Sequence, residues 1–152
     1  MPAYSEERVL PYTPAQLYAL VADIEKYPEF LPWVAAARIT ERHENELRAD
    51  LVAAFKNFRE TFTSHVILES PAEEMGKGSI HVELVEGPFH NLENRWVFLP
   101  EGPDKTRVQF FIDFRFRSKM LEKLIGFLFE QALATMVSAF EKRANILFGK
   151  GN

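Results

Sequence analysis

Cysteine is absent from this 152-residue sequence. That excludes a disulfide, a thiolate nucleophile and a cysteine-ligated metal, and it fits a reducing compartment. No apolar run reaches the ~18 residues that a membrane-spanning helix needs. Basic charge is not in surplus either. The net charge is −4, with 18 Lys and Arg against 22 Asp and Glu, so a broad nucleic-acid-binding face and direct DNA binding are not expected. The first twenty residues, "MPAYSEERVLPYTPAQLYAL", lack a basic stretch followed by an apolar core, so a secretory signal is not expected. There is no Gly-x-Gly-x-x-Gly or phosphate-binding loop and no Gly-x-Ser-x-Gly elbow. His43, His65, His81 and His90 form no helical i,i+4 pair and no His-x-His pair, so no metal site is expected.

What the chain has instead is phenylalanine, fourteen copies against seven glycines. The length suits a single domain, residues 1–152. A domain of this size buries roughly 68–70% of its unfolded surface and needs no staples. "AYSEERVL" (3–10) reads as a first strand. "TPAQLYALVADI" (13–24) reads as a helix, with Thr13 as cap, Pro14 at the first helical position and Gln16 completing a capping box. Leu17, Leu20, Val21 and Ile24 form its apolar stripe.

Beyond Val34 the apolar period falls from 3.6 to 2. "AARITER" (36–42), "ELRADLVAAF" (46–55), "FRETFTSHVIL" (58–68), "SIHVELV" (79–85), "NLENRWVFL" (91–99) and "TRVQFFIDFRF" (106–116) each alternate. Turn signals separate them, among them "KN" (56–57), "SPAEEMGKG", "EGPFHN" and "PEGPDK". Short links between alternating runs imply an antiparallel meander with one wet face. Residues 118–149 read as one long helix from a Ser118 cap to Gly149, about 45 Å at 1.5 Å per residue.

On a helical wheel Phe129, Leu133, Met136, Val137, Phe140 and Leu147 form a stripe suited to covering the sheet. Met120, Leu124, Phe127 and Leu128 fall opposite or beside it, and Leu121 and Ile125 fill the gap. The first three turns are therefore apolar over more than half their circumference. Either loops of the chain cover the extra face, or a ligand, partner or bilayer meets it. "KYPEFLPWV" (26–34) poses the matching puzzle. It packs Tyr27, Phe30, Leu31 and Trp33 into a segment where Pro28 and Pro32 leave room for one short helical turn between them. Such a loop either seals the open end of a curved sheet or frames an entrance, and periodicity does not separate the two.

These segments resemble a known family. The order strand, two short helices, six-stranded meander and long C-terminal helix is similar to the helix-grip (START-like, Bet v 1-like) proteins. The motifs "YALVADIEKYPEFLPW" (18–33), the Gly-Pro-Phe turn with "LENRWVF" (87–98), "VQFFIDFRFRS" (108–118) and "AFEKRA" (139–144) resemble the coenzyme Q-binding START-domain family. The resemblance implies an α+β fold, with a curved antiparallel seven-stranded sheet wrapped around a long C-terminal helix and two short helices after the first strand. It implies a deep apolar cavity for ubiquinone or a similar polyisoprenoid quinone, and a carrier or chaperone role in respiratory electron transfer rather than catalysis. No catalytic cofactor is implied; the bound lipid is the ligand. The bacterial branch also includes proteins described as ribosome-association toxins, so a ribosomal partner is the alternative.

The family motif falls on Tyr27, Pro28, Phe30, Leu31, Pro32 and Trp33 at the cavity mouth, and on Gly87, Pro88, Phe89, Leu92 and Trp96 near a second loop. Aromatics and Met suit an isoprenoid tail, because they supply area and adapt in shape. Phe55, Phe58, Phe62, Trp96, Phe110, Phe114, Leu128 and Met136 are the inward positions expected to touch it. Donors for a quinone head are sought at His90, Asn91, Asn94 and Arg95, although Arg95 has the parity opposite to Trp96. Cyclase or hydrolase chemistry would need a carboxylate in the cavity, where its pKa would rise. Asp50, Glu83 and Asp113 have outward parity, and Glu60 alone shares that of Phe58 and Phe62. Met120, Leu124 and Phe127, flanked by Arg117, Lys119 and Lys123, resemble an interfacial helix with basic anchors. The resulting expectation is a cytoplasmic protein, peripheral on the inner face of a membrane.

Overall fold

A computed structural model describes residues 3–55 and 58–149. The elements run β1 (Ala3–Leu10), α1 (Pro14–Ala22), a 3-10 helix (Ile24–Glu29), β2 (Val34–Arg42), β3 (Glu46–Phe55), β4 (Phe58–Glu69), β5 (Gly78–Glu86), β6 (Phe89–Gly102), β7 (Lys105–Phe116), α2 (Lys119–Ala134) and α3 (Met136–Phe148). All seven strands join one antiparallel sheet in the order β1-β7-β6-β5-β4-β3-β2. The expected α+β architecture is present. The expected turn at Lys56–Asn57 lies outside the described residues.

Alternation decides the two faces of the sheet. In β7, Val108, Phe110, Ile112, Phe114 and Phe116 are all buried, and Arg115 between them is exposed. Local chemistry sets α1. The Gln16 N–H donates to the Thr13 hydroxyl at 3.1 Å, and the Thr13 N–H donates back to Gln16 Oε1 at 3.0 Å. The turn between β5 and β6 needs Gly87, since a Cβ there would sit 2.5 Å from that of Phe62. At the free edge, β2 carries two register shifts, and its Ile39 N–H donates to Glu25 Oε2 at 2.9 Å.

Two local expectations change. The short helical turn in the proline-rich segment does not lie between Pro28 and Pro32. It is the 3-10 helix Ile24–Glu29, which begins before Pro28 and contains it. The long C-terminal helix is two helices, bent by 44° at Thr135. Thr135 has φ −102° and ψ 1°, its N–H reaches back to Ala132 and Leu133, and its hydroxyl donates to the Ala132 carbonyl at 2.8 Å. Such back-bonding by a β-branched residue bends a helix without proline or glycine. The bend also moves Leu147 off the packed stripe: it is 50% exposed, and Ala144 is buried in its place.

Candidate functional site

Between the inner sheet face and the helices lies an apolar chamber of about 80 Å³. One wall is the segment running from α1 through the 3-10 helix, contributing Val21, Ile24, Tyr27, Leu31 and Trp33. Backbone bonds from the Phe30 and Leu31 N–H groups to the Tyr27 carbonyl, and from Val34 N–H to Leu31, fix that wall. The sheet supplies the inward residues of β3 to β7, among them Ala49, Phe62, Val66, Ile80, Trp96 and Phe110. Phe129 and Leu133 of α2 and Met136 of α3 close it. The void has a local cause. Ala49 and Ser64 are register partners on β3 and β4, both buried and both small where parity calls for an inward side chain.

The chemistry of the lining is sparse. Among the described residues, no carboxylate, imidazole, ammonium or guanidinium lines the chamber, and Tyr27 is the one titratable side chain there. Burial, reinforced by Asp23, pushes the Tyr27 phenol far above its ordinary value, and its hydroxyl donates to the Val21 carbonyl. It therefore stays protonated. Ser64 and Asn94 are the neutral polar groups besides the two indoles. Asn94 Nδ2 spends one N–H on the Phe111 carbonyl at 2.9 Å and has a second to give. Among the described residues, no three His, Asp or Glu side chains converge on a metal position.

Of the residues expected at the cavity, Leu31, Trp33, Phe62, Trp96, Phe110 and Met136 line the chamber. So do Tyr27, Leu92 and Asn94. The other aromatics are consumed by one another. Phe89, Phe114 and Phe116 cluster with the chamber-lining Phe129, with ring centroids 4.8 to 6.4 Å apart. Phe55 stacks on Trp33, with centroids at 5.9 Å. Phe58 is half-buried opposite Phe55 at the hairpin end. Phe30 packs edge-on against Tyr27 and Phe140 and lies under the Arg143 guanidinium. Leu128 is half-buried on the flank of α2 and does not reach the chamber.

The head-group positions separate in the same way. His90 and Glu60 are exposed, and Asn91 is half-buried away from the lining. Arg95 lies on the outer sheet face over the Phe111 ring, at 5.1 Å. The chamber residues that sequence reasoning passed over are aliphatic or small, such as Val21, Ala49, Leu51, Ser64, Val66 and Val82, together with Phe129 and Leu133. Strand parity carried the signal for those on strands; the preference for aromatics obscured it.

The deep cavity implied by the resemblance is smaller than expected. Pockets for drug-sized ligands run to about 300–1,000 Å³, several times the 80 Å³ present. Outside, the α2 stripe is uncovered: Met120 is 70%, Leu124 68% and Phe127 70% exposed. No single helix among the described residues is long and apolar enough to cross a membrane.

Comparison with known proteins places these features in context. Residues 10–141 match the family described as polyketide cyclase / dehydrase and lipid transport. The chain is 40% identical over 144 residues to the ribosome association toxin RatA of Rickettsia prowazekii (strain Madrid E), covering 95% of this chain and 97% of that protein. It is 29% identical over 150 residues to the mitochondrial coenzyme Q-binding protein COQ10 homolog B of Xenopus laevis, spanning 97% of this chain and 59% of that one. A START superfamily protein from Mycobacterium smegmatis shares the fold, with a TM-score of 0.74, 24% identity, and coverage of 95% of this chain and 98% of that chain.

Proposed function

The chain belongs to the polyketide cyclase / dehydrase and lipid transport family, and on that premise we propose that it binds ubiquinone or a related polyisoprenoid lipid as a carrier or chaperone supporting respiratory electron transfer. The observation that carries this reading is the chamber lining, which is apolar and, among the described residues, holds no general acid or base poised near neutral pH. A hydrocarbon tail gains about 25 cal/mol for each Å² of apolar surface removed from water. The second N–H of Asn94 and the Ser64 hydroxyl are the donors that a quinone carbonyl would meet there. The likeness to a coenzyme Q-binding protein supports the ligand class. A cyclase reading draws support from the family description alone, and the described residues of the lining offer it no carboxylate. A carrier of a bilayer-soluble molecule also has to exchange with a membrane surface, in this reading the inner face seen from the cytoplasm.

The chamber volume sets a condition on the proposal: loading requires the walls to part. The test is organic extraction of the purified protein followed by mass spectrometry. A prenylquinone near one equivalent supports the carrier, and protein free of any apolar lipid overturns it.

A second reading is favoured by the 40% identity to a ribosome association toxin. It makes the chain a regulator that binds the large ribosomal subunit. Co-sedimentation with purified large subunits, at a stoichiometry that persists in moderate salt, would support it. Sedimentation of subunits without the protein would remove it.

A further inference from the structure

The two halves of the C-terminal helical segment are attached differently. Polar contacts tie α3 to the rest of the fold at several points. Arg8 of β1 donates to Ser138 at 3.1 Å and pairs with Glu141 at 2.8 Å. The Tyr12 hydroxyl donates to Asn145, and Arg143 pairs with Glu29 at 2.5 Å. Among the described residues, no side chain of α2 makes a hydrogen bond or ion pair to the sheet. The nearest such tie is a 3.5 Å contact from the Tyr4 hydroxyl to the carbonyl of Ala134, at the Thr135 end. Apolar contacts from Ile125, Phe129 and Leu133 hold α2, and such contacts are not directional. A helix so held moves as a body more easily than one pinned by oriented bonds, and the 44° bend at Thr135 gives it an axis.

The outer face of α2 indicates what would move it. Met120, Leu124 and Phe127 recur at helical spacing on one side and are at least 68% exposed. Lys119 and Lys123 flank the stripe, and Arg117 precedes it. All three are exposed, and none forms an ion pair among the described residues. Glu130 follows further along the same flank, and Glu122 lies on the opposite side of the helix. An apolar stripe edged by unpaired cations at one end of a chain of net charge −4 complements an anionic lipid surface.

We infer that the exposed face of α2 docks on an anionic bilayer, and that docking draws α2 away from the sheet about Thr135 and enlarges the chamber that Phe129 and Leu133 close. This rests on the lipid-carrier reading for its purpose. The docking itself is tested without any quinone.

The test is flotation of the full chain with vesicles of phosphatidylcholine alone and with equal parts phosphatidylcholine and phosphatidylglycerol. The wild type is expected to float with the second and not the first. Lys119→Gln/Lys123→Gln should weaken partition onto anionic vesicles about 25-fold, at roughly fivefold per basic residue. Leu124→Glu/Phe127→Glu should abolish flotation with an unchanged far-UV circular dichroism spectrum. Opening is read from Trp33, which packs against Phe129 with centroids 6.0 Å apart. Of the two tryptophans in the chain, Trp96→Phe leaves Trp33 alone. Its emission should shift on anionic vesicles and stay fixed in the Leu124→Glu/Phe127→Glu background. If Trp96→Phe does not fold, the same shift is read as the part of the wild-type change that Trp33→Phe removes. Equal flotation on both vesicles, or wild-type flotation of Leu124→Glu/Phe127→Glu, overturns the docking face. So does a wild-type dimer that the same variant dissociates, which would assign the stripe to a second copy. An unmoved Trp33 signal in docked protein overturns the opening. A protein that retains extractable prenylquinone without floating keeps the carrier reading and loses this inference. Docking with the Trp33 shift but no extractable lipid keeps this inference and loses the carrier reading.

Discussion

The indole of Trp33 stands edge-on to the ring of Phe129, with centroids 6.0 Å apart and planes at 78°. Through this contact the proline-rich segment touches the inner face of α2. Two residues earlier on the same helix, Phe127 points to solvent. The pair predicts a sharp contrast in stability. Phe129 also meets Phe55, Phe89, Phe114 and Phe116, so Phe129→Ala should destabilise the fold by about 3–5 kcal/mol. Phe127→Ala should stay within about 0.5 kcal/mol of the wild type. Urea unfolding of the two variants checks both values.

The chamber predicts a substitution tolerated where the core normally resists it. Adding methylenes to a filled interior costs roughly 1–3 kcal/mol. Ala49 faces free space, so Ala49→Leu should cost less than about 1 kcal/mol, because the space it enters is already empty. The same variant should lower the amount of lipid recovered by extraction. A full overpacking penalty would show that the space is not available to a side chain.

Ligand retention should also separate two residues that the sequence places together. Trp96 lines the chamber and Leu128 does not. Trp96→Ala is expected to reduce retained lipid several-fold, and Leu128→Asp to leave it close to the wild-type level. Mass spectrometry on equal amounts of folded protein decides the matter, and a loss in both variants would place Leu128 on the ligand path.

A pH-dependent contribution resides at Glu29. The Arg143 guanidinium donating to its carboxylate, with Lys26 alongside, holds Glu29 below the usual carboxylate range. A depressed folded value stabilises the fold above the unfolded value, and that contribution disappears as pH falls through the folded one. Glu29→Gln should therefore be less stable than the wild type at neutral pH. The gap should close in acid, below the ordinary range for Glu. Because Glu29 is half-exposed, the difference is small and salt weakens it. A gap that persists in acid would assign it to packing.

Much of the architecture was legible because its causes are local. β1, β3 and the Thr13–Gln16 capping box depend on neighbours a few residues apart, and the sequence carries them in full. The break at Thr135 was not legible. It arises from a hydroxyl turning back to a carbonyl rather than from a proline or glycine, and threonine as a residue type costs a helix only a fraction of what those two do. The chamber was legible only in part for a different reason. Its empty space depends on Ala49 and Ser64 lying opposite each other, which is a fact of register between strands. Large aromatics draw the eye in a sequence, yet here Phe89, Phe114 and Phe116 fill volume, and small residues leave it open.

The Glu25 carboxylate on the Ile39 amide, at an edge strand interrupted by two register shifts, also bears on how copies of the chain behave when crowded. An incoming extended segment needs a straight row of vacant amides and carbonyls as a template. At β2 it meets one amide already satisfied and a backbone kinked on both sides of Ala37. Edge-to-edge aggregation is disfavoured there, and removing the Glu25 carboxylate would lower that barrier first.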